Sequence, residues 1–312
     1  MCPCPGPTHS VLPPSFRARW TPDMAPDEIP ANWPFRDVSR FVRCGTHRWH
    51  VQELGAGPEL LLLHGAGAST HSFRHLVPLL QRSYRVIAVD LPGQGFTSLG
   101  ARNRCGLDDI ASDLADLIVQ EGWSPFAFIG HSAGAAVALR LAELRPVQAV
   151  IGINAALGQF EGLAGWLFPR MAQLLSVLPL VPEIFSRIAG TPQQVHRLLA
   201  STGSRIDAEG EAQYLALVRR PSHVAATLAM MAQWNLDELI DRLGQIHVPC
   251  LLITGSADTA VPASTSEQAA KTMPEAIWVD LPRYGHLVHE EAADKVAALI
   301  LDFLSQHTKD TG

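Results

Sequence analysis

The sequence has no excess of positive charge, because 24 Lys and Arg residues stand against 30 Asp and Glu residues and the formal net charge is −6. Non-specific binding to nucleic acid depends on a cationic surface that attracts phosphates. Nucleic acid is therefore not an expected partner. The sequence also lacks a run of about 18 apolar residues free of charge and proline, so we predict no transmembrane segment.

Cysteine is scarce, and its five residues are scattered without a CxxC pair: Cys2, Cys4, Cys44, Cys105 and Cys250. This odd, dispersed set predicts neither a disulfide framework nor a zinc site. Cys2 and Cys4 alone would make an incomplete set of metal ligands. A GxxxxGK[ST] phosphate loop is also absent. We therefore expect no metal and no cofactor, and a reducing, cytoplasmic location.

Proline is concentrated at the amino terminus, where nine of the 23 prolines fall in the first 34 residues. This stretch contains no apolar run of the length that a secretory signal needs, which argues against export. We interpret residues 1–35 as a proline-rich flexible tail.

Beyond the tail, strand-like apolar runs alternate with segments of helical periodicity. The predicted strands are residues 48–53, 60–63, 86–89, 126–129, 149–153, 250–254 and 277–279. The predicted helices outside the region 158–235 are residues 70–81, 107–120, 133–144 and 292–304. The turn-forming residues 55–58 predict that the first two of these strands form a hairpin. The later alternation predicts a parallel α/β sheet.

Residues 158–235 have a helical pattern throughout and are too long for a simple connection. We expect a helical lid here, inserted into a core made of residues 36–157 and 236–308. The lid carries an apolar stripe: Trp166, Leu167, Met171, Leu174, Leu175, Leu178 and Leu180. The stripe has two interpretations, packing on the core or contact with a membrane or a large flat ligand, which would make the protein peripheral to the membrane. Interruption by Arg170, Pro179 and Pro182 favours packing on the core.

The residues 130–134 read Gly-His-Ser-Ala-Gly between a predicted strand and a predicted helix. This is the context in which a GxSxG sequence indicates a nucleophile, here Ser132, more strongly than a glycine-rich turn with a capping serine. A serine hydroxyl needs a base, and His286 follows the last predicted strand. Asp258 follows the preceding strand and would orient the histidine, with Asp280 as a rival acid.

A second loop, His-Gly-Ala-Gly at residues 64–67, follows the predicted strand 60–63. In the serine hydrolases that carry such a loop, a backbone amide from it joins the amide after the nucleophile in an oxyanion hole. We therefore predict that the amides of Ala66 and Ala133 bind the oxyanion, and that the side chain of His64 is structural. The residues 286–290 place two histidines beside a glutamate in neither order used by zinc peptidases, so no metal centre is expected there.

These motifs resemble the α/β-hydrolase superfamily over nearly all of the chain after the tail. The resemblance implies an α/β fold with a mostly parallel eight-stranded sheet, flanking helices and an inserted helical lid. A narrower likeness, to the magnesium-chelatase accessory hydrolases of bacteriochlorophyll synthesis, is carried by residues 39–42, 49–52, 60–72, 153–157, 202–205 and 230–234. Gln94 departs from the pattern, because a histidine is usual there.

The narrower likeness implies a pathway that inserts Mg²⁺ into protoporphyrin, with a tetrapyrrole as candidate ligand and chelatase subunits as candidate partners. The candidate pocket residues are His131, Trp166, Met171, Met231 and Trp234. Two functions remain in competition: a serine hydrolase acting on an ester or related acyl compound, and a non-hydrolytic accessory protein that holds a tetrapyrrole. The motifs favour the hydrolase, because the nucleophile, base, acid and oxyanion loop are all present in plausible places.

Overall fold

The computed structural model describes residues 29–100, 104–158 and 180–307. Its strands are Ser39–Cys44 (β1), His47–Leu54 (β2), Glu59–Leu63 (β3), Arg85–Val89 (β4), Pro125–His131 (β5), Ala149–Ile153 (β6), Cys250–Gly255 (β7) and Ala276–Leu281 (β8). They form one eight-stranded sheet in the order β1-β2-β4-β3-β5-β6-β7-β8. The pairs β1–β2 and β2–β4 are antiparallel, and all the others are parallel. The expected α/β-hydrolase fold is confirmed.

The central strands are apolar on both faces because helices cover both sides of the sheet. All five residues of β6, for example, are buried. Strands buried in this way show continuous apolar runs instead of alternation, which is why the sequence reveals them so clearly. The helices outside the segment between β6 and β7 are Val77–Leu80 (α1), Leu107–Glu121 (α2), Ala133–Leu144 (α3), Ala263–Thr272 (α9), Val288–Glu291 (α10) and Ala293–His307 (α11).

The predicted hairpin of residues 48–53 and 60–63 is wrong. β2 pairs with β1 on one side and with β4 on the other, so β4 separates it from β3. The hairpin partner of β2 is β1, which the strand pattern did not predict. The turn at residues 55–58 only redirects the chain, because a parallel position beside β4 and β5 buries the apolar side chains of β3 completely.

The predicted continuous helix at residues 70–81 is also interrupted. A 3₁₀ turn at Thr70–Phe73 and the short helix α1 share this segment. The side chain of Ser69 accepts a hydrogen bond from the amide of His71 and so caps the first turn locally. Pro78 lies in the first turn of α1, where a proline is tolerated, but it cannot continue a helix from before it.

Five α-helices lie between β6 and β7 in the part of the chain that the structure describes: Val181–Ala189 (α4), Pro192–Ala200 (α5), Ala208–Val218 (α6), Pro221–Gln233 (α7) and Asp237–Arg242 (α8). We call residues 180–242 the helical insertion. Residues 159–179, with Trp166, Met171 and most of the predicted apolar stripe, lie outside the described residues. Leu180, the last residue of the stripe, is 67% exposed. Among the described helices, none is long and apolar enough to span a membrane.

The predicted tail is too long at its carboxyl end. Residues 1–28 lie outside the described part of the chain, but residues 29–35 pack against the domain. Ile29 and Trp33 are buried with Phe96 and Leu217, a residue of the helical insertion. The rings of Trp33 and Phe96 meet edge to face with their centroids 4.9 Å apart. Proline content therefore did not exclude packing here, because two large apolar side chains stabilise the segment.

Candidate active site

Ser132 lies at the sharp turn between β5 and α3, with φ 53° and ψ −119°. A non-glycine residue at positive φ is strained, which typically costs about 1–3 kcal/mol and is characteristic of functional sites. The turn is possible because its neighbours are glycines. A Cβ atom on Gly130 would overlap the Gly134 carbonyl oxygen, and one on Gly134 would overlap the Leu63 carbonyl oxygen. The Ser132 amide is held by the Ile153 carbonyl oxygen at 2.9 Å.

His286 and Asp258 form a direct pair, with Nδ1 of the histidine 2.7 Å from Oδ2 of the carboxylate. The carboxyl group of Asp258 accepts from four groups. Its Oδ1 takes the backbone amides of Ala260 and Val261, at 2.7 and 2.8 Å. Its Oδ2 takes His286 and, at 2.6 Å, the side-chain amide of Asn154.

These contacts fix the tautomer of the histidine. Asp258 is surrounded by donors, so Nδ1 of His286 carries a proton and donates it to Oδ2. In the neutral ring Nε2 then holds the lone pair. Within the described residues, Nε2 has no hydrogen-bond partner, and the side chain of His286 is 12% exposed. The ring therefore presents an unoccupied acceptor nitrogen.

Asp280, the rival acid, has a different hydrogen-bond partner in the described residues. Its Oδ1 accepts a hydrogen bond from the Thr254 hydroxyl at 2.9 Å, between β8 and β7. The prediction of Asp258 over Asp280 thus agrees with the contacts of His286.

His131 links the turn at Ser132, which is the predicted nucleophile turn, to the loop that carries His286. Its Nε2 lies 2.9 Å from the His286 carbonyl oxygen, and its ring packs between those of His286 and His289, with centroids 4.8 and 4.2 Å apart. Burial, then the neighbouring His289 and His286, lower the pKa of His131 well below its usual value. His131 is thus neutral, donates from Nε2, and is 2% exposed. We predicted a pocket residue, and the structure places it beneath the site.

The loop of residues 64–67 lies against the nucleophile turn. A Cβ on Gly65 would stand 3.0 Å from Cβ of Ser132. His64 is fully buried, with Nδ1 2.8 Å from the Gly65 carbonyl oxygen and Nε2 accepting the Leu91 amide at 2.9 Å. Burial lowers its pKa, so the ring is neutral and ties this loop to the next strand end. These contacts support the predicted structural role of His64.

The two amides predicted to bind an oxyanion are not used elsewhere. In the described ranges, the N–H groups of Ala66 and Ala133 donate to no other group, whereas the neighbouring amides of Gly67 and Ala68 are both occupied. Gln94 Oε1 accepts the Gly67 amide at 2.6 Å. Gln94, which departs from the family pattern, therefore supports the loop of residues 64–67.

The remaining pocket candidates have mixed positions. Met231 is 43% exposed, and Trp234 packs partly buried against the core. Met230 instead is buried, and its sulfur accepts the Gln94 side-chain amide at 3.0 Å. Trp166 and Met171 lie outside the described residues. The helical pattern could not determine which of the adjacent methionines faces inward, because α7 is apolar on more than one side.

Sequence reasoning missed Asn154 as a site residue. It follows β6 directly, has φ 44°, and donates to the same carboxylate oxygen as His286. A polar residue immediately after a fully apolar strand, next to the strand of the nucleophile, was the available signal. No group of three or more His, Cys, Asp or Glu side chains in the described part of the chain is arranged to hold a metal ion.

Comparison with known proteins shows the family of this chain. The model of the α/β hydrolase fold family matches residues 58–293. The magnesium-chelatase 30 kDa subunit of Rhodobacter capsulatus is 49% identical over 90% of this chain and 99% of that protein. The pimeloyl-[acyl-carrier protein] methyl ester esterase of Nitrosomonas europaea is 29% identical over 76% of this chain and 92% of its own. The structure of epoxide hydrolase CorEH, 19% identical, superposes with a TM-score of 0.73 over 86% of this chain and 98% of that one. The chain therefore belongs to the α/β-hydrolase fold family, with the magnesium-chelatase 30 kDa subunit as a close relative.

Proposed function

We propose that this protein is a serine hydrolase that cleaves an ester or related acyl substrate, with Ser132 as nucleophile, His286 as base and Asp258 as orienting acid. The observation that carries the proposal is the His286–Asp258 pair, in which the carboxylate is fixed by four donors and Nε2 of the histidine is left open. A merely structural pair would have no need of the unoccupied nitrogen.

The chemistry follows from these positions. Nε2 of His286 takes the proton of the Ser132 hydroxyl as its oxygen attacks the acyl carbon, and Asp258 stabilises the imidazolium that forms. The amides of Ala66 and Ala133 bind the oxyanion of the tetrahedral intermediate, where one such donor is typically worth about 10²–10³ in rate. The imidazolium then protonates the leaving alcohol, and a water molecule activated by the same histidine releases the acyl group.

The biological context is proposed from the relatives. The protein 49% identical to this chain is named as a magnesium-chelatase subunit, and another relative is named as a methyl ester esterase. We assign this protein to magnesium chelation in bacteriochlorophyll synthesis, in the cytoplasm, with chelatase subunits as partners. Its candidate substrate is a tetrapyrrole or a derivative of one, held between the carboxyl edge of the sheet and the helical insertion, which would act as a lid.

A fluorophosphonate reagent tests the proposal, because it phosphonylates activated serines and adds a defined mass. The wild type should gain one adduct by intact-mass spectrometry, and Ser132→Ala should gain none. Ser256→Ala is the matched control, since Ser256 is an exposed serine near Asp258, and it should label like the wild type.

Failure of the folded wild type to label would overturn the hydrolase proposal. It would favour the alternative, a non-hydrolytic accessory protein that binds a tetrapyrrole. Titration with protoporphyrin IX, followed by its absorbance shift, would then test that alternative directly.

A further inference from the structure

The turn at residues 202–204, between α5 and α6 of the helical insertion, contacts both loops of the acid–base pair. The carbonyl oxygen of Thr202 accepts two backbone amides, that of His286 at 3.2 Å and that of Thr259 at 3.3 Å. One backbone oxygen therefore joins the loop of the base to the loop of the acid. The hydroxyl of Thr259 adds a second bond, to the Ser201 carbonyl oxygen at 2.6 Å.

Ser204 makes a further contact with the histidine loop. Its Oγ accepts the amide of Leu287 at 2.8 Å, and the two residues are only 3% and 5% exposed. The amide of Gly285, on the other side of His286, is held by a carboxylate oxygen of Glu291 at 3.0 Å. With the Thr202 carbonyl, these groups occupy three successive backbone amides of the histidine loop, residues 285–287.

The turn packs so closely on the two loops that there is no room for a side chain at Gly203 or at Gly285. Gly203 has φ +80°, and a Cβ atom there would overlap the Ala257 carbonyl oxygen, next to Asp258. A Cβ atom on Gly285 would overlap the backbone of Gly203 and Ser204. Backbone therefore packs directly on backbone, and a displacement of the turn would be transmitted to the loops of both the base and the acid.

From this arrangement we infer that Ser204 is a positioning residue of the active site, which acts through the Leu287 amide to hold His286 against Asp258. The inference rests on the proposed function and adds a role for the helical insertion, because the insertion sets the geometry of the pair in addition to covering it. Without Ser204 Oγ, the buried Leu287 amide loses its acceptor, and the loop must shift to find another.

The test uses three variants of the full chain. Ser204→Ala removes the acceptor, and Ser204→Thr keeps a hydroxyl at the same position. Ser201→Ala is the matched control, because the exposed Ser201 hydroxyl donates to the Leu198 carbonyl oxygen of α5 and, within the described residues, has no other partner. The two readouts are the rate of fluorophosphonate labelling and the far-downfield proton NMR signal of the His286 Nδ1–H bond to Asp258.

Misplacement of a catalytic group by about 1 Å can cost about 10²-fold in rate, so a partial shift in Ser204→Ala should slow labelling about tenfold. The downfield signal should move upfield or broaden in the same variant. Ser204→Thr should restore both readouts, and Ser201→Ala should leave both as in the wild type. A merely structural role would lower stability but leave the signal and the rate of the folded protein unchanged, and that result would overturn the inference.

The two proposals can fail separately. If the wild type does not label, the hydrolase proposal fails, and the NMR signal alone tests the inference, which is overturned if the signal is absent from the wild type or unaltered in Ser204→Ala. If Ser204→Ala does not fold, Ser204→Cys replaces it, because a thiol fills the space of the hydroxyl but is a much weaker acceptor for the Leu287 amide. A smaller shift in the same direction supports the inference, and no shift contradicts it.

Discussion

In two of the histidine–aspartate pairs within the described residues, the Nδ1 nitrogen of the ring lies at the same distance from a carboxylate oxygen, but the surroundings differ. Nδ1 of His286 lies 2.7 Å from Asp258, and Nδ1 of His50 lies 2.7 Å from Asp90. The side chains of His50 and Asp90 are both completely buried, whereas that of His286 is 12% exposed. In His50 the second nitrogen is also occupied, since Nε2 lies 3.0 Å from the Ser39 hydroxyl. Hydrogen-bond distance alone therefore does not distinguish the proposed catalytic pair; its open nitrogen does.

We call the completely buried His50–Asp90 pair the sealed pair and the His286–Asp258 pair the open pair. The contacts of the sealed pair indicate a structural role. Asp90 also accepts the backbone amides of Thr70 and Phe96, at 2.7 and 2.8 Å. Burial alone would raise the pKa of Asp90, but His50, His64 and the Phe96 amide outweigh it and lower the pKa to about 2. Its carboxylate thus fixes the loop after β4 to β2 and to the 3₁₀ turn.

The largest effect is expected from Asp258→Asn, which should change the reactivity of the site. Asp258→Asn should slow fluorophosphonate labelling by about 10³–10⁴-fold, because an amide can stabilise neither the required tautomer nor the imidazolium. Labelling rates of the folded protein at pH 7 would measure this change. A loss of less than tenfold would mean that the open pair has no more chemical role than the sealed one.

The same substitution in the His50–Asp90 pair, Asp90→Asn, should affect stability and not reactivity. Asp90→Asn should lower the free energy of unfolding by about 3 kcal/mol, because it leaves His50 buried without its charged partner. Urea denaturation at pH 7 measures this loss, and labelling of the folded variant should match the wild type. If Asp90→Asn abolished labelling without loss of stability, the distinction between the two pairs would be wrong.

Acid should destabilise the region round the site before it affects the sealed pair. Burial lowers the pKa of His223 to about 4 and, with His286 and Arg74, that of His289 to about 3. Below pH 6.5, the ordinary pKa of histidine, these two side chains bind protons in the unfolded chain but not in the folded protein. The stabilisation that they provide above pH 6.5 is therefore lost as the pH falls towards their folded pKa values. Each histidine should cost about 2 kcal/mol between pH 7 and pH 5.

Urea denaturation across this pH range measures the loss. Asp90 does not contribute to it, because its stabilisation is lost only as the pH falls from about 3.8 towards its folded pKa of about 2. In His289→Leu, unfolding should take up one proton fewer at pH 5, so the free energy of unfolding should depend less steeply on pH. Neither ring nitrogen of His289 has a hydrogen-bond partner in the described residues, so the substitution removes no hydrogen bond there. If the free energy of unfolding of this variant depended on pH as steeply as that of the wild type, His289 would not be a source of the loss at low pH.

The smallest effect is expected at Asp280. Asp280→Asn should change the labelling rate by less than about twofold and the free energy of unfolding by less than about 0.5 kcal/mol, because the amide oxygen can still accept from Thr254. The same two assays apply. A large loss of labelling would show that the rival acid, and not Asp258, supports the histidine.

The features that could be predicted from the sequence are those that depend on a local pattern of residues. Fully buried strands such as β6 are recognisable as apolar runs, and residues 130–134 carry their own steric requirements for a turn. Strand neighbours were not predictable in the same way, since β2 and β3 are adjacent in sequence but separated by β4 in the sheet. Asn154 and Ser204 were missed as site residues for a related reason: each acts through a contact with a residue more than 80 positions away.

The sheet order has a consequence for how the protein folds. β6 and β7 are direct neighbours, yet almost a hundred residues separate them along the chain, whereas about twenty separate β7 from β8. Closing the longer loop costs about 1.4 kcal/mol more in chain entropy, so this pairing is expected among the late steps of folding. The proposed nucleophile lies before the long loop, and the proposed acid and base lie after it. A partly folded chain that has not closed this loop cannot assemble the three groups, so labelling of Ser132 during refolding would report completion of the sheet.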